Sequence, residues 1–148
     1  MTTFVDTNVL VYAFDRTVPE KQGMAAGVLE RLWAERTGVL STQILQEFYA
    51  VATNKLKLAM TPAEAREIVE LYGEWPVVVI QPADILNASG IHERHQLSFW
   101  DALVVEAARV GGAKRILTED LQSGRMIEGI LIENPFAGIA VEPETGDG

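Results

Sequence analysis

Phe4-Val5-Asp6-Thr7-Asn8-Val9-Leu10 is the stretch from which the rest of the chain is read. Thr3 to Val5 is a short apolar strand, and Val9 begins a run suited to a brief helix reaching Phe14. Asp6 sits at the junction, so its side chain leaves the sheet at the strand's carboxyl edge, where open α/β sheets hold their ligands. Taken alone, Asp6 or Asn8 is better read simply as the cap of the following helix, and Asp6 by itself decides nothing.

Outward from this junction, short apolar runs alternate with segments of helical period. Glu20 to Arg36 carries Met24, Val28, Leu29 and Leu32 at helical spacing, and Gly38 marks its stop. Val39-Leu40 is a second strand, and Ser41 or Thr42 caps a helix through Thr53. Thr61-Pro62-Ala63-Glu64 is a capping box with proline at N1, opening a helix that ends near Tyr72. Val77 to Ile80, the most continuous β-branched run, reads as a strand covered on both faces, and Pro82 opens the next helix. A helix over Phe99 to Val110 and strands at Arg115 to Thr118 and Ile130 to Ile132 complete the pattern. It is a series of βα units, which predicts an α/β domain around a mostly parallel sheet of about 4-5 strands.

At 148 residues and 48% hydrophobic content, the chain has the size of one domain with one core, expected over 1–141. Residues 142–148, Glu-Pro-Glu-Thr-Gly-Asp-Gly, offer nothing apolar to bury and read as a loose acidic tail. The absence of cysteine excludes disulfides, thiolate metal sites and a cysteine nucleophile. No basic leader precedes the first strand and no window reaches the length of a membrane span, so a soluble, cytoplasmic protein without membrane contact is expected. A net charge of −9 argues against a broad positive face for nucleic acid.

Three further acids invite a functional reading. On the helix after the second strand, Ile44, Leu45, Phe48, Tyr49, Val51 and Ala52 form an apolar arc with Glu47 beside its edge, ordinarily the place of a solvated glutamate. Asp101 projects inside the apolar arc of its helix, between Val105 and Ala108 and opposite Glu106 and Arg109. Ser98-Phe99-Trp100-Asp101 also matches the start of a capping box, and a helix beginning at the sheet's carboxyl edge lets Asp101 both cap and face Asp6. Thr118 and Asp120 lie at the end of the strand from Arg115, where a plain turn residue is the competing reading for Asp120.

Four carboxylates in one pocket repel one another unless a cation holds them. Oxygen ligands without Cys or His suit Mg²⁺ or Mn²⁺, and His92 and His95 read as helix-surface residues. Such an ion can clamp a phosphodiester and activate water for hydrolysis. Assigning four charges to the site leaves −9 + 4 = −5 elsewhere. Backbone contacts must then come from local cations such as Arg16, Lys55, Lys57, Lys114, Arg115 and Arg125. Phe99 and Trp100 could stack a base, but aromatic residues at a helix start are more often core anchors.

The order and context of these acids resemble the PIN-domain family, and especially the VapC-type toxins of toxin-antitoxin modules. The resemblance spans nearly the whole chain through Phe4-Val5-Asp6-Thr7-Asn8-Val9-Leu10, Gln46-Glu47-Phe48-Tyr49, Leu97-Ser98-Phe99-Trp100-Asp101-Ala102-Leu103 and Leu117-Thr118-Glu119-Asp120-Leu121. It implies a three-layer α/β/α sandwich, a homodimer, an antitoxin that blocks the acidic groove, and Mg²⁺- or Mn²⁺-dependent cleavage of single-stranded RNA. It assigns metal ligation to Asp6 and Asp101 first, a ligand or base role to Glu47, a farther or second-metal role to Asp120, and orientation of water or acids to Thr118 and Asn8. A PIN nuclease working in RNA processing is the alternative within this class, and a non-catalytic RNA- or protein-binding module that keeps the fold is a rival from another class, against which the presence of all four acids argues. A receiver or haloacid-dehalogenase-like phosphotransfer domain is disfavoured, because Asp6-Thr7-Asn8 offers one carboxylate where those need an acidic pair or Asp-x-Asp.

Overall fold

Helix starts follow the caps written in the sequence. Asp6 caps α1 (Thr7–Tyr12), Ser41 caps α3 (Thr42–Ala52) and Ser98 caps α6 (Phe99–Val110), each accepting a backbone N–H of the first turn. The Thr61/Glu64 box opens α4 (Pro62–Tyr72) with both of its hydrogen bonds made, while Pro19 and Pro82 open α2 (Pro19–Glu35) and α5 (Pro82–His95). The computed structural model describes residues 1–139, so the tail expected at 142–148 lies outside the described residues. No described helix is long and apolar enough to cross a membrane.

The sheet has six strands, β1 (Thr3–Val5), β2 (Gly38–Ser41), β3 (Val77–Val78), β4 (Arg115–Leu117), β5 (Met126–Ile127) and β6 (Ile130–Glu133), in the order β3-β2-β1-β4-β6-β5. All neighbours are parallel except β5 and β6. Helices connect and flank the parallel strands, as crossover connections require. β1 lies at the centre with every residue buried, and the chain leaves it toward β2 on one side while β4 pairs on the other. That is where strand order reverses, and Asp6 stands at its carboxyl end.

Several expectations are corrected. Val77 to Ile80 is not a doubly covered strand: only Val77–Val78 pair, at the sheet's edge, and Val79 is 58% exposed. With β2 as its single neighbour, the run has β propensity but no second partner, and Gln81 and Pro82 turn it into α5. Met24 faces outward and Ala25 takes the inward position beside Leu29 and Leu32. β5 has no counterpart in the sequence reading. It forms because Glu128 (φ 50°) and Gly129 (φ 78°) make a two-residue turn between Ile127 and Ile130, which face each other in the ladder. Two consecutive positive φ angles are the mark of a type I′ hairpin, here written Glu-Gly instead of the usual Asn-Gly.

Glu106, expected on the polar side of α6, is fully buried. Its carboxylate accepts from Arg109 Nε and Nη2, both at 2.8 Å, and from Asn87 Nδ2 at 3.1 Å, so the charge enters the α5/α6 contact already paired. α6 seats closely on the sheet through Gly111, where a Cβ would fall 2.7 Å from Val39 Cγ1. The core runs from Phe4, Leu40 and Ile116 through Ile44 and Phe48 to Val105 and Ile132.

Candidate active site

The register of β1 against β4 assembles the first part of the site. Val5 pairs with Leu117, and the Asp6 N–H donates to the Leu117 carbonyl at 3.0 Å, which places Asp6 beside Thr118. The Thr118 hydroxyl, fully buried, donates to Asp6 Oδ2 at 2.8 Å, and the Thr7 N–H donates to Asp6 Oδ1 at 2.8 Å. Asp6 therefore caps α1 and bonds across the sheet edge with its two separate oxygens. Asn8 spans the gap to Asp120: its Nδ2 lies 3.0 Å from Asp120 Oδ2, 3.3 Å from Thr118 Oγ1 and 3.5 Å from Asp6 Oδ2. The Asp120 N–H closes the loop on Thr118 Oγ1 at 3.0 Å, leaving the Asp120 carboxylate exposed.

Glu47 arrives from the next helix. Its Oε1 accepts from the Thr7 hydroxyl at 2.7 Å, which ties the middle of α3 to the start of α1. Gln43, one turn earlier and only 6% exposed, places Nε2 3.4 Å from Glu47 Oε2 and 3.4 Å from the Trp100 carbonyl, while its Oε1 has no partner. Asp101 begins the fourth side. Ser98 Oγ accepts the Asp101 N–H at 3.1 Å, but the reciprocal half that Glu64 makes at α4 is not made here, so the Asp101 carboxylate is not consumed by the cap.

Electrostatics link the four acids. The Asp6 carboxyl is pushed up to about 6, first by burial and further by the charges of Asp120 and Glu47, against the pull of the Thr118 and Thr7 hydrogen bonds. Asp101 is also raised, by burial and then by Asp120, with Ser98 acting the other way. Among the described residues no three Asp, Glu, His or Cys side chains are gathered into a ready metal cage. Mg²⁺ does not demand one: it keeps several waters and commonly takes one or two carboxylates. The donor set is all oxygen, and a carboxylate 5% exposed with two acidic neighbours is the environment a divalent cation would relieve. The residues fit such an ion.

Sequence reasoning missed the supports. Gln43 carries no charge and no motif. Tyr12 and Lys21 clamp Glu119, the residue between Thr118 and Asp120, with Tyr12 Oη 2.8 Å and Lys21 Nζ 2.9 Å from its carboxylate. Lys21 also lies over the Tyr12 ring, 4.7 Å from its centroid. Of the cations considered for RNA, Lys114 precedes and Arg115 begins β4, at the opposite edge from Asp6, and Arg115 is engaged by Glu133 at 3.1 Å and Thr3 at 3.0 Å. Arg16 and Lys57 line a separate cleft of about 550 Å³ together with Asp15, Glu64 and Glu67. Trp100, expected as a core anchor, is 63% exposed, whereas Phe99 is partly buried against the core. His95 is half-buried and pairs with Glu128 at 2.8 Å, and His92 is exposed with Nδ1 on the Leu97 carbonyl.

Comparisons with known proteins agree with this architecture. No curated protein matches the chain. Among solved structures, a toxin-antitoxin complex from Klebsiella pneumoniae superposes with a TM-score of 0.67 at 16% identity, covering 90% of this chain and 97% of that one. A DNA-bound VapBC from Salmonella typhimurium gives 0.63 at 18% identity, covering 91% and 98%. VapC20 of Mycobacterium tuberculosis, described as a sarcin-ricin loop cleaving toxin, gives 0.59 at 22% identity, covering 77% and 86%. These likenesses concern the fold. A family model described as the PIN domain matches residues 3–126, most of the sequence, and the chain belongs to the PIN-domain family.

Proposed function

We propose that this PIN domain is a Mg²⁺- or Mn²⁺-dependent ribonuclease that hydrolyses phosphodiester bonds of single-stranded RNA, and that it is the toxin of a type II toxin-antitoxin pair. The observation that carries the reading is Asp6: nearly buried at the switch point of a parallel sheet, raised to about 6, and pressed by the charges of Asp120 and Glu47. An acid in that setting destabilises the chain unless something positive is meant to bind there.

In this reading Asp6 and Asp101 hold the ion most directly, and Glu47 and Asp120 complete its surroundings, directly or through water. When bound, the ion supplies positive charge to the phosphodiester and makes a water more acidic. Thr118 and the Thr7 N–H keep Asp6 fixed and favour its ionised form. Glu47, oriented by Thr7 and Gln43, is the group that takes a proton from the attacking water. Asn8, bonded toward both Asp6 and Asp120, holds the two carboxylates at a fixed separation. The toxin assignment, with a cognate antitoxin as partner, draws on solved neighbours of like fold that include a toxin-antitoxin complex and DNA-bound VapBC proteins, and a homodimer is proposed as the working form by analogy with the family.

The test is cleavage of a mixed single-stranded RNA pool by purified protein with Mg²⁺ or Mn²⁺, with EDTA, and after Asp6→Asn or Asp101→Asn. Cleavage that needs metal and falls at least about a hundredfold in each variant is expected, a loss on the scale of removing a group that stabilises the transition state. Equal cleavage in the variants, or in EDTA, overturns the reading. Growth arrest on expression, relieved by Asp6→Asn, is the expected mark of the toxin; growth unaffected by the active enzyme would place it in RNA processing instead.

A further inference from the structure

We infer that Trp100 is a stacking platform for an unpaired nucleobase of the RNA held at this site, an inference that rests on the ribonuclease reading above. The chain has three tryptophans. Trp75 is 6% exposed, and Trp33 stacks on Tyr72 at 5.6 Å with Trp75 edge-on at 5.4 Å, so both serve packing. Trp100 is 63% exposed, with the Phe99 ring centre 5.3 Å away at 76° as its aromatic neighbour among the described residues. Leaving so large an apolar ring in water forgoes the burial that ordinarily fixes a tryptophan.

Its place gives the exposure a use. Trp100 directly precedes Asp101 on the first turn of α6, and its backbone carbonyl is 3.4 Å from Gln43 Nε2, the same amide that reaches Glu47. One buried side chain thus ties the tryptophan's backbone to an acid of the site from another helix, and that side chain keeps Oε1 unpartnered. The backbone that carries the ring is therefore tied to the helix that bears Glu47, while the ring itself stays exposed.

Charge favours a base over a phosphate as its occupant. With 21 acids against 12 Lys and Arg, the chain attracts a backbone weakly, and Arg115 and Lys21 are already paired with Glu133 and Glu119. Stacking on an indole attracts every base irrespective of charge or sequence. An acidic ribonuclease needs such a contact more than a basic one does.

The experiment uses the full chain carrying Asp6→Asn, to prevent cleavage, and a fluorescent single-stranded RNA oligonucleotide of mixed sequence with Mg²⁺ present. Trp100→Ala should weaken binding by at least about fivefold, the lower end of the effect of removing one stacked base, and Trp100→Phe should restore most of it. An abasic nucleotide moved along the oligonucleotide should cause the same loss at one position with Trp100 present and no further loss in Trp100→Ala. Binding within twofold of the parent, or an abasic scan unchanged by the substitution, overturns the inference. So does a Trp100→Ala protein that binds RNA normally but has a smaller native mass, since the ring would then belong to a contact between protein chains. If the Asp6-intact protein cleaves RNA and Trp100→Ala cleaves it equally well at limiting substrate, only the platform fails; if it neither binds nor cleaves RNA, the ribonuclease reading fails with it.

Discussion

Asp6 accepts two well-formed hydrogen bonds and is nonetheless harder to ionise than a free aspartate, because burial and the charges of Asp120 and Glu47 outweigh them. The consequence for stability has a definite sign. An acid whose folded value is raised from 3.8 to about 6 binds its proton more tightly in the native state. Its contribution is fully favourable below about pH 4 and is lost as pH rises through 6. At about 1.4 kcal/mol per pK unit, the metal-free chain carries a penalty on the order of 3 kcal/mol at neutral pH. Asp6→Asn removes the charge but turns an NH₂ toward one of two donors, forfeiting about 1 kcal/mol. Denaturant unfolding in EDTA should therefore show Asp6→Asn more stable than wild type by about 1–2 kcal/mol at pH 7.5, with the difference gone or reversed at pH 4. A variant less stable than wild type at both pH values would contradict this account of Asp6. Asp6, Thr118 and Asp120 were legible because strand ends fix where side chains leave a sheet. Gln43, Tyr12 and Lys21 were not, since they act by what they touch across the fold, and no local spacing records that. Glu106 was misread for the same reason: its burial depends on Arg109 and Asn87.

At the scale of elements, α6 starts at the Ser98 cap that the sequence suggested, through a simpler device than a full capping box. Ser98 caps the Asp101 N–H, and the Asp101 carboxylate is left out of the reciprocal bond. Ser98→Ala should cost about 1 kcal/mol of stability, as loss of an N-cap does, measured by thermal or denaturant unfolding. It should lower kcat while leaving RNA affinity nearly unchanged, because Asp101 is displaced but Trp100's bond to Gln43 remains. A stability loss with unaltered kcat would mean that Asp101 does not depend on the cap. Capping signals of this kind give the starts of α3, α4 and α6 to within a residue, since they are chemical and local, whereas α1 begins at Thr7, two residues before the expected Val9. The edge elements escaped. β3 was overread from its β-branched run, and β5 was missed because its turn uses Glu128 at positive φ, a residue that does not announce a hairpin.

For the whole molecule, a PIN fold with a net charge of −9 limits how it would hold the RNA proposed as its substrate. Single-strand binding loses about 0.7 in log affinity per decade of salt for each phosphate neutralised. With Lys21, Arg94, Arg109 and Arg115 paired to acids, Arg16 and Lys57 in a separate cleft and Lys114 at the opposite sheet edge, few of the 12 cations remain to meet phosphates beside the acids. The affinity of the Asp6→Asn chain for single-stranded RNA should fall with a log-log slope no steeper than about −3. A slope near −6 would reveal a basic surface that this charge distribution does not provide. The parallel architecture was readable because alternating βα units admit few topologies, and the strand order then brought acids far apart in sequence toward one edge. The claim on which all else depends is that these acids form a divalent-cation site. Calorimetric titration of Mn²⁺ into the purified chain at pH 7.5, beside Asp6→Asn and Asp101→Asn, tests it without any knowledge of the RNA target. Saturable binding by the wild type that weakens at least about tenfold in each variant is the predicted result, and Mn²⁺ binding equally well to all three chains, or to none, would contradict it.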